Sequence, residues 1–228
     1  MRTSALRHRP ERQFGLALAI AMSVCVGLYV YGQSLGPDLR FTYLPWNLFL
    51  SAIPLVFAVL LHRSLRRKRW SDWSPLGWSL LWLLFLPNSF YMISDFIHLA
   101  KVPEADVLYA AVLFTSFIYV GVLLGFASMY IVHRQLLQRL GSRVSAAWMG
   151  VVLLLCSMAI YLGRDLRWNS WDVVFQPAGL LFDVSERLLH PANYPSMFVT
   201  ILSFFALLTS LYAVVWAGSN LVRHYKEQ

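Results

Sequence analysis

The chain has 228 residues, of which 58% are hydrophobic and 13% are charged, and its formal net charge is +8 at pH 7. Ordinary globular domains carry roughly a quarter charged residues, so this composition excludes a typical water-soluble domain. A positive charge can indicate nucleic-acid binding, but here the basic residues are divided among short loops, where membrane orientation and attraction to anionic lipid account for them. We therefore expect no nucleic-acid partner.

Six apolar stretches contain none of the 30 charged side chains and predict six transmembrane helices. The spans must be helical, because lipid offers no hydrogen-bond partners to an open backbone. The sequence thus predicts an all-α, polytopic membrane protein that forms one transmembrane domain over residues 1–228. The predicted spans are Phe14–Tyr31, Leu44–Leu61, Leu76–Ile93, Val107–Val132, Ala146–Leu162 and Met197–Ala217.

The basic residues set the expected orientation. Fourteen of the 19 Lys and Arg residues lie in the two terminal tails and in the second and fourth loops. Because basic residues concentrate on the cytoplasmic side, we expect both termini in the cytoplasm, as an even number of spans also requires. The first stretch follows a positive tail, as in a signal peptide, but no small-x-small cleavage site follows it, so we expect an uncleaved first helix.

Small residues mark two candidate packing faces, because they allow helices in a membrane to approach closely. One lies on the fourth predicted helix and the other on the sixth. Their members are Gly121, Gly125 and Ser128 on the fourth helix, and Ser196, Thr200, Ser203, Ser210, Ala206 and Ala213 on the sixth.

The long outer loop at 163–196 contains a predicted amphipathic helix over Pro177–Leu189. Apolar residues recur at helical spacing on one side of it and charged residues occupy the other. We expect this helix to lie flat at the membrane interface; the alternative is that it caps the bundle and does nothing else. The apolar side comprises Leu180, Leu181, Val184 and Leu188, and the charged side comprises Asp183, Glu186 and Arg187.

The outer end of the third helix carries polar residues in the segment LPNSFYMISDFIHL. If helicity continues past Pro87, then Asn88, Tyr91, Asp95 and His98 share one narrow stripe. Polar groups at membrane depth are costly unless they meet partners. Asp95 and His98 stand one turn apart, so they are the candidate catalytic pair, suited to a general base, a proton relay or half of a metal site. No metal site is predicted, because two ligands are too few.

The segment YLGRDLRWNSWD, which leaves the fifth helix, suggests an anion clamp. Arg164 and Arg167 stand three residues apart, with Trp168 and Trp171 behind them. Two guanidinium groups can hold a phosphate or a carboxylate. The alternative is structural, with these Arg residues paired to Asp95 or Asp165. The predicted ligand-binding residues are Trp46, Asn47, Asn88, Tyr91, Arg164, Arg167, Trp168, Asn169 and Asp172.

Both segments resemble signatures of a bacterial membrane-protein family, the domain of unknown function numbered thirteen sixty-one (DUF1361). LPNSFYMISDFIHL is similar to PNAPY-I-TD-hHL, and YLGRDLRWNSWD is similar to YLGRFLRWNSWD. The departures are Ser89-Phe90 in place of Ala-Pro, and Asp165 in place of an apolar residue. The resemblance implies a bacterial inner-membrane protein, and it supplies no activity.

Three functions are compatible with these patterns. We expect a six-helix bundle whose polar pocket opens to the extracytoplasmic side and binds an anionic or lipid-linked head group, with catalysis left open. The alternatives are a scaffold for other envelope proteins, or a small transporter. Transport is the least favoured, because helices four to six offer only Ser and Thr near mid-membrane. The expected partners are the bilayer and an anionic lipid or lipid-linked substrate. An oligomer is compatible with the sequence, which indicates neither its size nor a cofactor.

Overall fold

The computed structural model describes residues 9–36, 39–168 and 172–227, and within them every regular element is helical. The fold class is therefore all-α, as predicted. The α-helices are α1 (Arg9–Leu35), α2 (Tyr43–Ser64), α3 (Trp73–Tyr91), α4 (Val107–Asp165), α5 (Asp172–Phe175), α6 (Pro177–Leu189) and α7 (Pro195–Glu227). Short 3-10 helices cover Met92–Lys101, Glu104–Asp106 and Pro191–Asn193.

Five stretches of the described chain are long and apolar enough to cross a membrane. The stretch Glu104–Asp165 holds two of the predicted spans, and its helix α4 is interrupted at Gly141, where φ is 76° and ψ is 174°. Glycine adopts such a positive φ without steric cost. We call 107–140 the first arm of α4 and 142–165 its second arm; Val132 of the first and Met149 of the second belong to one buried cluster.

Large apolar side chains are exposed along the outside of the bundle. The apolar windows of α1 and α7 are only 11% buried, and exposed residues include Val24, Val30, Val199 and Val214. Soluble monomers rarely expose contiguous apolar surface on this scale. The helices are therefore consistent with a membrane protein.

Three buried clusters of the described residues hold the bundle together. The first joins α2, α3, both arms of α4 and α7, and the second joins α1 and the start of α2 to the first arm of α4. The third, which consists of Tyr161, Met197 and Ile201, joins the second arm of α4 to α7. The first cluster includes Leu61, Leu86, Phe90, Phe126, Cys156 and Leu208. The second includes Cys25, Leu44, Leu48, Phe114 and Phe117.

The predicted packing face on the first arm of α4 is confirmed. A Cβ on Gly121 would lie 2.8 Å from the Met92 sulfur, and one on Gly125 would lie 2.7 Å from the Ser89 Cβ. Ser128, one turn further along, accepts a hydrogen bond from the Trp82 indole at 3.1 Å. The first arm therefore meets α3 with almost no space between the backbones.

The predicted packing face on α7 is wrong. Its serine and alanine members at 196, 203, 206, 210 and 213 are exposed. The helix instead packs through a second stripe, which buries larger apolar surface against α4. That stripe consists of Met197, Ile201, Leu208 and Tyr212.

Candidate functional site

A cavity of about 660 Å³ lies where α2, α3 and the second arm of α4 meet. Its wall changes character along α3. The residues near mid-helix, Leu80, Leu83 and Leu84, are apolar, and the wall becomes polar at Asn88, about 6 Å along the helix axis from Leu84. The same change occurs on α2, which is polar at Asn47 and apolar at Leu50. The cavity thus has one apolar half and one polar half.

The predicted stripe on the third helix lines the polar half of this cavity. Asn88, Tyr91, Asp95 and His98 all contribute to its wall. Helicity does continue past Pro87, as α-helix to Tyr91 and then as the 3-10 helix Met92–Lys101. Residues three apart eclipse each other in a 3-10 helix, so the change of helix type keeps Asp95 and His98 on one side.

Asp95 is the buried charged group of the cavity, with an exposed fraction of 3%. Its Oδ2 accepts a hydrogen bond from the Asn47 amide at 3.2 Å. Within the described part of the chain, the salt bridge that forms is Arg187–Asp183, at 3.4 Å. The structural pairing of Asp95 with Arg164 or Arg167 is therefore not formed in this structure.

His98 lies beside Tyr43, with 5.2 Å between the ring centroids. Among the described residues no hydrogen bond joins His98 to Asp95, although both line the cavity. Tyr43 also lines it, and its hydroxyl oxygen is buried without a hydrogen-bond partner among the described residues. Tyr43 was not among the site residues predicted from the sequence. The available signal was its position four residues before Asn47, which places both residues on one face of α2.

The two arginines of the predicted clamp do not line the cavity. Arg164 donates from Nη1 to the backbone carbonyl of Ser94 at 3.2 Å, so it ties α4 to the 3-10 helix just behind the cavity wall. Arg167 is exposed and has a φ of 59°, in the left-handed region. This turn brings the Trp168 N–H back to the Leu162 carbonyl at 3.2 Å, which caps the end of α4.

The remaining predicted ligand-binding residues divide into three groups. Trp46 and Trp168 line the cavity together with Asn47. Asp172 begins the short helix α5 and does not line it. Asn169 lies outside the described residues.

The helix α6 covers the polar end of the cavity and occupies the predicted residues, Pro177–Leu189. The Trp168 indole donates to the Asp183 carboxylate at 2.9 Å, and a Cβ on Gly179 would lie 3.1 Å from the Trp168 ring. Leu180, together with Val173 of α5, forms part of the cavity wall. Trp168 therefore holds this helix in place over the cavity.

The polar side of α6 faces the protein. Arg187 stacks over the Tyr194 ring at 4.9 Å, and Tyr194 donates to Glu186 at 3.0 Å, a hydrogen bond that raises the pKa of the phenol. Leu181 and Leu188 are exposed on the outside. The apolar side of α6 is thus divided, because Leu180 lines the cavity whereas Leu181 and Leu188 face outward.

The comparisons with known proteins identify a family and no activity. The model of the family described as protein of unknown function (DUF1361) matches residues 46–210, which confirms the resemblance seen in the sequence and includes every predicted site residue. No curated protein and no solved structure matches the chain.

Proposed function

The chain belongs to the DUF1361 family of proteins of unknown function, and we propose that it is a six-span inner-membrane protein whose cavity binds a lipid or lipid-linked molecule. The head group lies in the polar half of the cavity, on the extracytoplasmic side, and the hydrocarbon chain lies in the apolar half. The catalytic role predicted for Asp95 and His98 stays a prediction, since no hydrogen bond links the two side chains in this structure.

The proposed topology draws on the break in α4 and on the charge distribution. Gly141 divides the 62-residue stretch Glu104–Asp165 into two arms, so five apolar stretches give six spans. The concentration of basic residues in the terminal tails and in the second and fourth loops puts both termini in the cytoplasm. The polar half of the cavity then faces outward. The outward apolar side of α6 suits a helix that rests on the bilayer surface.

The observation that carries the proposal is the division of the cavity together with its exposure to the side. Leu80 and Leu155 line the apolar half, and they are 68% and 44% exposed on the outside of the bundle. Trp46 is 54% exposed beside the polar half. A molecule from the bilayer can therefore enter sideways, with its chain still in hydrocarbon and its head group at the level of the interface.

Filling the apolar half tests the proposal. Ala159 lines the cavity, so Ala159→Phe places a phenyl ring where the hydrocarbon chain would lie. Ala206→Phe is the matched control, because Ala206 is exposed on α7. We expect wild-type protein and the control to retain lipid through purification, as seen by native mass spectrometry, and Ala159→Phe to lose it. Equal lipid retention by both variants would contradict the proposal.

Single cysteines test the topology. Ser142 and Ser185 are exposed and lie on opposite sides of the membrane in the proposed arrangement. Cys25 and Cys156 are buried, so a membrane-impermeant thiol reagent should leave them unmodified. In intact cells without their outer membrane, the reagent should label Ser185→Cys and not Ser142→Cys. Labelling of both positions, or the reverse pattern, would refute the orientation.

A further inference from the structure

Resting on the proposed function, we infer that the head group carries a primary ammonium group and that Asp95 binds it.

In the described part of the chain no cation is in contact with the Asp95 carboxylate, and the Arg164 guanidinium acts on it only from a greater distance. The carboxylate is 3% exposed, and the neutral amide of Asn47 occupies its Oδ2. In the described part of the chain, Oδ1 receives no hydrogen bond and no cationic group lies within 4.0 Å of the carboxylate. A buried charge without a partner is strongly disfavoured. A cation that enters the cavity would remove this deficit.

The groups around Asp95 suit an ammonium ion with N–H donors. Such an ion has three donors and no acceptor. Among the described residues, the cavity wall offers it the buried Tyr43 hydroxyl, which has no hydrogen-bond partner, and Asp95 Oδ1, which receives no hydrogen bond. Aromatic rings attract cations through their faces, and four of them line the same cavity. These rings belong to Tyr43, Trp46, Tyr91 and Trp168.

Other classes of head group fit less well. An anionic head group would bring a second negative charge to Asp95, while Arg164 bonds to the Ser94 carbonyl and Arg167 is exposed outside the cavity. A sugar could satisfy Tyr43 but would leave the carboxylate without a counter-charge. A zwitterionic phospholipid with a primary amine meets both conditions, because its ammonium group can donate to the Tyr43 hydroxyl and supply the counter-charge of Asp95.

The test compares four lipids with the same acyl chains, namely phosphatidylethanolamine, phosphatidylcholine, phosphatidylglycerol and a monoglucosyl diacylglycerol. Each is titrated into delipidated full-length protein, and the bound fraction is measured by native mass spectrometry. We expect phosphatidylethanolamine to bind at least tenfold more tightly than the others. Phosphatidylcholine keeps the positive charge but has no N–H donor, so equal binding of the two would overturn the inference.

Two variants and a control connect the preference to the site. Asp95→Asn keeps the side-chain shape and the acceptor for Asn47, and it should lower phosphatidylethanolamine binding to the level of phosphatidylglycerol. Tyr43→Phe should weaken the preference for phosphatidylethanolamine several-fold. It provides the test if Asp95→Asn does not fold. Asp165→Asn makes the same charge change at an exposed position outside the cavity and should leave the preference intact.

The outcomes separate this inference from the proposed function. If phosphatidylglycerol or the glucosyl lipid binds as tightly as phosphatidylethanolamine, and Ala159→Phe still abolishes binding, the ammonium inference is wrong and the lipid site stands. If none of the four lipids binds to the wild-type protein, both fall.

Discussion

Replacing Gly125 with alanine should push α3 and α4 apart. The added Cβ would lie 2.7 Å from the Ser89 Cβ and 2.9 Å from two carbons of the Phe90 ring. Neither neighbour can retreat easily, because Phe90 is fully buried and the Ser89 hydroxyl is bonded to the Ser51 carbonyl at 2.9 Å. Overpacking of this kind costs about 1–3 kcal/mol, against a gain in helix propensity of about 1 kcal/mol.

Gly150→Ala is the matched control for this substitution. Gly150 lies in the second arm of the same helix, and a Cβ there would meet nothing within 4 Å. This variant keeps only the gain in helix propensity, so the difference in unfolding free energy between the two variants should equal the steric cost, about 1–3 kcal/mol. Thermal and denaturant unfolding of both variants in one detergent measures it. If Gly125→Ala proves as stable as Gly150→Ala, the close approach of α4 to α3 is wrong.

Two further substitutions test single hydrogen bonds. Trp168→Phe keeps a ring but removes the donor to the Asp183 carboxylate. Because a hydrogen bond to a charged group contributes about 1.5–3 kcal/mol, amide hydrogen exchange across 177–189 should accelerate at least tenfold. Unchanged exchange would show that α6 is held by other contacts. His133→Phe preserves the ring that stacks on Trp216 at 3.9 Å but removes the hydrogen-bond partner of the buried Tyr212 hydroxyl, which lies at 2.9 Å. This loss should lower the unfolding free energy by about 1–3 kcal/mol. Wild-type stability in that variant would contradict the hydrogen bond between His133 and Tyr212.

The helices could be predicted because the residues that indicate each helix lie within that helix. The amphipathic helix Pro177–Leu189 follows from the spacing of its leucines and from a proline at its first position. The predicted start of the fourth loop, directly after Val132, was less accurate. Residues 133–140 continue the helix, and the chain turns only at Gly141, because a charged segment can remain helical beyond the hydrocarbon and end where a glycine allows a positive φ.

The site was predictable only in part, because spacing shows which residues share a helix face but not which neighbour that face meets. The stripe from Asn88 to His98 lines the cavity because α3 presents one face to α2. Arg164 and Arg167 were expected to act together. The end of α4 separates them, because the positive φ of Arg167 turns the following Trp168 toward the cavity. Such a turn depends on how the chain ends the helix, which the three-residue spacing does not indicate.

The proposed site also determines where its selectivity lies. A hydrocarbon chain that moves from the bilayer into the cavity leaves surroundings as apolar as leucine, so Leu80 and Leu155 fix its position and contribute little free energy. In a water-soluble lipid carrier, by contrast, each buried methylene would contribute about 0.8 kcal/mol. Discrimination must then come from the polar half, where hydrogen bonds and charges act in weakly polar surroundings. Shortening the acyl chains by four carbons should therefore change binding from a bilayer nanodisc by less than threefold, whereas exchanging the head group should change it tenfold or more. A strong dependence on chain length in nanodiscs would place the selectivity in the apolar half instead.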